Sequence, residues 1–130
     1  MKKIIHVVCS IFEQDGKFLI CRRKEGLKNE GKWEFPGGKV IDGESMLKAL
    51  RREIKEELNV EIKIGDLVSK VKYFEGKFTL LAYKCESLSP IISSNDHDKL
   101  QWVLREDIFN YNLLDADVII ARELLENENS

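Results

Sequence analysis

Residues 46–58 constrain the fold most, because a helix written there sorts its side chains into three sectors. At about 100° per residue, Leu47, Leu50, Ile54 and Leu58 fall on one stripe, with Glu53, Glu56 and Glu57 on a strip beside it. Lys48, Arg51, Arg52 and Lys55 take a third face. The apolar stripe needs a second layer against it, and the acids then flank the buried face. Glu53 and Glu57 are like charges at i,i+4, which costs an isolated helix about 0.2–0.5 kcal/mol. A cation between them reverses that sign. Ahead of the helix, Gly37-Gly38 lets backbone approach a ligand closely, and oxygen ligands on neighbouring turns suit a magnesium ion carrying phosphates. A merely solvated acidic face is the competing explanation, and the glycine pair tips the balance toward a divalent-metal and phosphate site.

Around this helix the chain reads as strands. Residues 3–13 form a strand, Glu13-Gln14-Asp15-Gly16 a turn, and residues 17–23 the return strand of a hairpin, which would set Cys9 near Cys21. The charged segment 24–32 reads as a loop, either plain surface or a substrate-facing lid. Trp33-Glu34-Phe35-Pro36 sits at a strand edge, since Pro36 favours an extended residue before it. Asp42-Gly43-Glu44-Ser45 supplies turn chemistry with Ser45 as N-cap, and Asn59 suits a left-handed position after Leu58. A strand-rich run at 60–74, broken at Gly65-Asp66, turns at 75–77 into a strand at 78–86. A polar loop at 87–99, a short strand at 101–104 and a helical turn at 106–109 follow. A helix at 115–125, built on Val118, Ile119, Ala121, Arg122 and Leu125, leads to a frayed tail at 127–130. With neither repeat nor linker, one α+β domain over 1–130 is expected, a mixed sheet between helices.

Composition narrows the partners. A length of 130 residues suits one core, and no apolar run is long enough to span a membrane. Met1-Lys2-Lys3 enters an apolar run that His6, Ser10 and Glu13 interrupt, so no secretory signal is read and a cytoplasmic setting is expected. A net charge of -2 and a pI near 5.8 give no footprint for a nucleic-acid polymer. A single nucleotide remains open, because a metal can neutralise its phosphates. Cys9, Cys21 and Cys85 show no C-x-x-C spacing, so each reads as a small core residue. Val40 after Gly-Gly-Lys39 breaks the Walker pattern, and residues 94–98 lack the glycine and terminal Glu of an EF-hand loop.

Gly38, five residues, Glu44, seven residues and then Arg52-Glu53-Ile54-Lys55-Glu56-Glu57-Leu58-Asn59-Val60 resemble the Nudix box, G-x5-E-x7-R-E-U-x-E-E-x-G-U with U aliphatic. Only the last glycine differs, and Asn59 tolerates the same left-handed conformation. The flanks, with Arg23, the run WEFPGGK at 33–39, Trp102 and Asp115-Ala116-Asp117, look like the MutT branch, and the likeness covers residues 3–125. It implies a Nudix fold, magnesium or manganese, and attack by water at a phosphorus of a nucleoside diphosphate linked to a further group. A triphosphate would give the monophosphate and pyrophosphate.

The same resemblance assigns metal binding to Glu53, Glu56, Glu57 and the Gly38 carbonyl, with Arg52 orienting the acids through a salt bridge to Glu44. Either Glu53 or a residue of the 95–98 loop takes the proton, and Asp96, six residues before Trp102, stands where relatives carry a helpful acid. His97 beside it reads as a loop histidine. Arg23 is the phosphate contact, Phe35 and Phe74 or Phe78 are stacking or core aromatics, and Asp117 faces the base edge. An ionised Asp117 accepts without donating, which suits the amino group of cytosine or the N–H edge of guanine. The leading expectation is 8-oxo-dGTP hydrolysis in nucleotide-pool sanitation, with CTP or 5-methyl-dCTP as the alternative, by a monomer or homodimer. A non-catalytic Nudix-fold binding or regulatory module is the reading from another class, and the intact acids argue against it.

Overall fold

The structure, a computed structural model, describes residues 3–128. Its elements run β1 (Ile5–Gln14), β2 (Lys17–Arg23), β3 (Trp33–Glu34), β4 (Gly37–Lys39), α1 (Met46–Leu58), β5 (Ile62–Tyr73), β6 (Phe78–Ser87), β7 (His97–Leu104), a 3-10 turn (Arg105–Asn110) and α2 (Asp115–Glu128). β1 organises the sheet. One of its edges runs parallel to β6 from Ile5–Phe78 to Phe12–Cys85, while antiparallel partners share the other edge. β4 takes Val7 to Cys9, and β2 takes only Glu13 and Gln14. β5 pairs antiparallel with β6, and β3 and β7 flank β2.

Period-2 alternation then sends side chains to two faces. Val8, Phe12, Leu19, Cys21 and Leu81 pack with Ala49, Leu50, Ile54 and Leu58 of α1. Cys9, Ile11, Phe18, Ile20, Leu80 and Ala82 pack with Ile120, Ala121 and Leu124 of α2. The sheet therefore lies between the two helices, the architecture of the expected α+β fold.

Several local expectations shift. The hairpin turn is only Asp15-Gly16, both at positive φ, and its ladder ends at Glu13–Phe18. Cys9 and Cys21 thus join opposite core clusters instead of neighbouring each other. Gly65-Asp66 does not break β5 but lies in a register shift between Ile64 and Leu67. β7 begins at His97, inside the expected polar loop, because its ladder with β2 continues through a register shift to the Arg23–His97 pair, where Arg22 also ion-pairs with Asp98 at 2.7 Å. On α2 the buried face is Asp117, Ile120, Ala121 and Leu124, with Ile119 and Arg122 turned outward, and the helix continues to Glu128. Of the expected frayed tail, residues 129–130 lie outside the described residues.

α1 starts from Ser45, whose hydroxyl accepts from Lys48 N–H at 3.2 Å. It stops at Asn59 in the left-handed conformation, φ 57°. Its apolar stripe begins at the half-buried Met46 rather than at Leu47, which is 44% exposed. The first turn is rotated so that Met46, Leu50, Ile54 and Leu58 follow the sheet at i,i+4 spacing. Ile54→Ala is accordingly expected to lower unfolding free energy by about 2–5 kcal/mol, and Leu47→Ala by no more than about 0.5 kcal/mol. Urea titrations giving equal losses would contradict this placement.

Candidate active site

Arg52 gathers the acids. Its Nε and Nη2 meet the two oxygens of Glu44 at 2.8 and 3.0 Å, a bidentate pair. Nη1 donates to Glu53 Oε1 at 2.9 Å and Glu56 Oε2 at 3.3 Å, and Nη2 also reaches the Lys39 carbonyl at 3.0 Å. Glu44 is further held by the Ile41 N–H at 3.1 Å. Its carboxyl is pulled below the usual range by Arg52, and the guanidinium is shifted upward in return, Glu44 first among the causes.

The glycines have steric reasons of their own. A Cβ on Gly37 would stand 1.9 Å from the Val8 carbonyl oxygen across the β1–β4 ladder, and one on Gly38 would stand 2.3 Å from Glu53 Oε2. The room at 37–38 is thus already used by β1 and by the Glu53 carboxylate, which rests against the Gly38 backbone. Glu57 lies deeper, 4% exposed, with Oε1 lacking a hydrogen-bond partner. Burial and the nearby Glu34, Glu53 and Asp96 push it up to about 9, against a hydrogen bond from the Gly37 backbone. Glu53 is raised too, by burial first. Glu56 is the open member, its side chain 60% exposed.

The loop before β7 brings its acid to this cluster. Asn95 Nδ2 donates to the Glu56 carbonyl at 2.6 Å and its N–H to the Glu57 carbonyl at 2.9 Å, while Lys24 Nζ holds the Asn95 carbonyl at 2.7 Å. Asp96 is thereby anchored at the C-terminal end of α1 and raises both Glu53 and Glu57 electrostatically.

A cavity of about 480 Å³ opens beside Gly37 and Gly38, within the roughly 300–1,000 Å³ of small-ligand sites. Arg23, Lys28, Lys32 and Lys39 line it, with Phe35, Tyr73, Phe74, Phe78 and Asp117. Arg23 is fixed by the Lys28 carbonyl at 3.1 Å and Glu34 Oε2 at 3.2 Å. Phe35 is 2% exposed, a core residue that also forms wall. Phe74 is 71% exposed at the tip of the β5–β6 hairpin, with φ 50°. Tyr73 and Phe78 stack at 5.1 Å beside it. Asp117 is buried and accepts the Phe35 N–H at 2.8 Å. Burial pushes its carboxyl up to about 8, so near neutral pH it is largely protonated and can donate as well as accept. The acceptor-only role expected of Asp117 belongs to its ionised form alone.

A family profile described as NUDIX domain matches residues 2–127. The chain belongs to the Nudix family. It is 36% identical over 118 residues to a protein of Escherichia coli (strain K12) named CTP pyrophosphohydrolase, covering 89% of this chain and 87% of that one. It is also 35% identical over 102 residues to a Mycobacterium tuberculosis protein named "Putative 8-oxo-dGTP diphosphatase 2", covering 76% and 72%. Among solved structures, the E. coli ORF135 protein superposes with a TM-score of 0.84 at 33% identity, covering 95% of this chain and 90% of that one. The MutT protein of Methanosarcina mazei Go1 gives 0.78 at 28% identity, covering 97% and 96%. The chain is a MutT-like Nudix hydrolase, of the nucleoside triphosphate pyrophosphohydrolase family, and Nudix hydrolases generally use divalent metals.

Sequence reasoning named the box acids, Arg23, Asp96 and Asp117, but passed over Glu34, Tyr73 and the loop lysines. Glu34 receives Arg23 and His97 together, and its place between two noted aromatics was the one available signal.

The buried Asp117 has a pH consequence. Its carboxyl rises from 3.8 to about 8 on folding. The stability this contributes is full below about pH 4 and is lost as pH rises toward 8, where the unfolded chain ionises it and the folded one does not. Asp117→Asn removes that slope, and Glu57, present in both proteins, cancels in the difference. The stability of wild type minus that of the variant is expected to fall steadily between pH 4 and 8 in urea titrations; parallel curves would place Asp117 in a solvated setting.

Proposed function

We propose that this protein hydrolyses 8-oxo-dGTP to the monophosphate and pyrophosphate, clearing an oxidised guanine nucleotide from the pool. One observation carries the reading: a single cavity is lined by a cationic set, an aromatic wall and the buried Asp117, and it abuts the glycines that cradle the acids.

The donor set fits a hard divalent ion. It is built of carboxylate oxygens, with a buried Glu57 oxygen lacking a partner and a Gly38 backbone on which only a glycine leaves room for Glu53. Glu53, Glu56, Glu57 and the Gly38 carbonyl would hold magnesium or manganese, which when bound neutralises phosphate oxygens and lowers the pKa of the attacking water. Arg52, itself held by Glu44, clamps Glu53 and Glu56 in place. Glu53 is the proton acceptor in this reading, and Asp96 supports it from the Asn95-anchored loop. Arg23 and the cavity lysines bind the phosphates.

At the base edge a neutral Asp117 presents one donor and one acceptor. An 8-oxoguanine edge offers the O6 acceptor beside an N7–H donor, whereas unmodified guanine offers two acceptors there. The cytosine edge, with an amino donor beside the N3 acceptor, also matches. The 36% identical relative named CTP pyrophosphohydrolase favours this second reading, CTP or 5-methyl-dCTP.

A panel of triphosphates assayed for pyrophosphate release separates the two. The expected order is 8-oxo-dGTP well above dGTP and the cytidine nucleotides; a large preference for cytidine would sink the oxidised-guanine reading. Glu53→Gln should lower kcat by about 10²–10⁴-fold. Wild-type turnover in that variant would remove Glu53 from catalysis, and no turnover by either protein would point to a binding module.

A further inference from the structure

Behind the box acids lies a cluster of mixed chemistry. Glu34 of β3, Glu57 of α1 and His97 at the start of β7 each bring one ligand atom to within 4.8 Å of the other two. His97 Nε2 is 2.8 Å from Glu34 Oε2, and its Nδ1 is 2.7 Å from Ser94 Oγ. The His97 side chain is fully buried, Glu57 is 4% exposed, and Glu57 Oε1 has no partner among the described residues. Three elements distant in sequence thus converge on one pocket that holds an unsatisfied carboxylate oxygen.

We propose that Glu34, Glu57 and His97 form a second cation site, selective for a zinc-class transition ion and sharing only Glu57 with the all-oxygen magnesium set. The imidazole makes the difference, since nitrogen ligands suit zinc whereas magnesium prefers oxygen. Ser94 supplies the orienting outer partner of a metal-binding histidine: when Nδ1–H donates to its hydroxyl, the Nε2 lone pair is free for an ion. Arg23, 3.2 Å from Glu34 Oε2, fixes the second ligand in the same way. An ion about 2.0–2.2 Å from each ligand takes the place of the His97–Glu34 hydrogen bond, with the donors moving only slightly apart. Three protein ligands leave one tetrahedral position for water. The site stands on ligand geometry and does not require the enzyme to turn over any nucleotide.

Zinc titrated calorimetrically into nucleotide-free protein in excess magnesium is expected to bind one equivalent, with X-ray absorption showing one imidazole ligand. His6 is the second of the two histidines in the chain, so His6→Gln should keep the imidazole signal and His97→Gln should lose it. Ser94→Ala should weaken zinc binding by roughly 10–100-fold. Displacement of all zinc by magnesium, an imidazole-free spectrum, or unchanged binding by His97→Gln would overturn the site. If His97→Gln does not fold, the wild-type and His6→Gln spectra decide. An inactive enzyme that binds zinc through His97 would refute the proposed hydrolysis and leave this site intact.

Discussion

Five hydrogen bonds converge on the guanidinium of Arg52, and the acid cluster depends on them. Glu44 comes from the turn before α1, Glu53 and Glu56 from successive turns of the helix, and the Lys39 carbonyl from the end of β4. One planar cation therefore joins helix, turn and strand, and fixes where the carboxylates stand relative to the glycine backbone. Arginine suits this because its donors form a rigid fork; a lysine offers a point charge without the bidentate geometry. The clamp is only part-buried, so its structural value lies more in position than in net stability.

The box was legible because its geometry is local. Helical periodicity alone places Glu53, Glu56 and Glu57 on one side, and the Ser45 and Asn59 caps fall where side-chain chemistry puts them. What could not be read was set by contacts far apart in sequence. The assignment of Cys9 and Cys21 to opposite faces follows from how β1 divides its edge, and the exposure of Leu47 and the buried face of α2 follow from how each helix seats on its side of the sheet. His97 looked like a loop residue because its neighbours are polar, yet pairing with Arg23 draws it into a strand and buries it. Asp117 was singled out by position and lies on the cavity wall, but its protonation depends on burial that no local pattern encodes.

The electrostatics share one theme. Glu57 and Asp117 are both buried carboxyls pushed well upward, one beside the acids and one on the cavity wall. Glu57 lacks a partner for one oxygen, whereas Asp117 has the Phe35 N–H. The same physical effect, burial, thus acts on two carboxyls that differ in how their oxygens are partnered.

The parallel ladder between β1 and β6 also bears on how the molecule is made. It joins Ile5 to Phe78 and Phe12 to Cys85, so one whole edge of β1 has no partner until the chain has grown beyond residue 85. α1, complete much earlier, packs on a face that includes Leu81 and Cys85 of β6 and must wait for that strand. Such long-range closure slows folding relative to local pairing. During synthesis the amphipathic helix with its crowded acids emerges ahead of the strand that completes its seat.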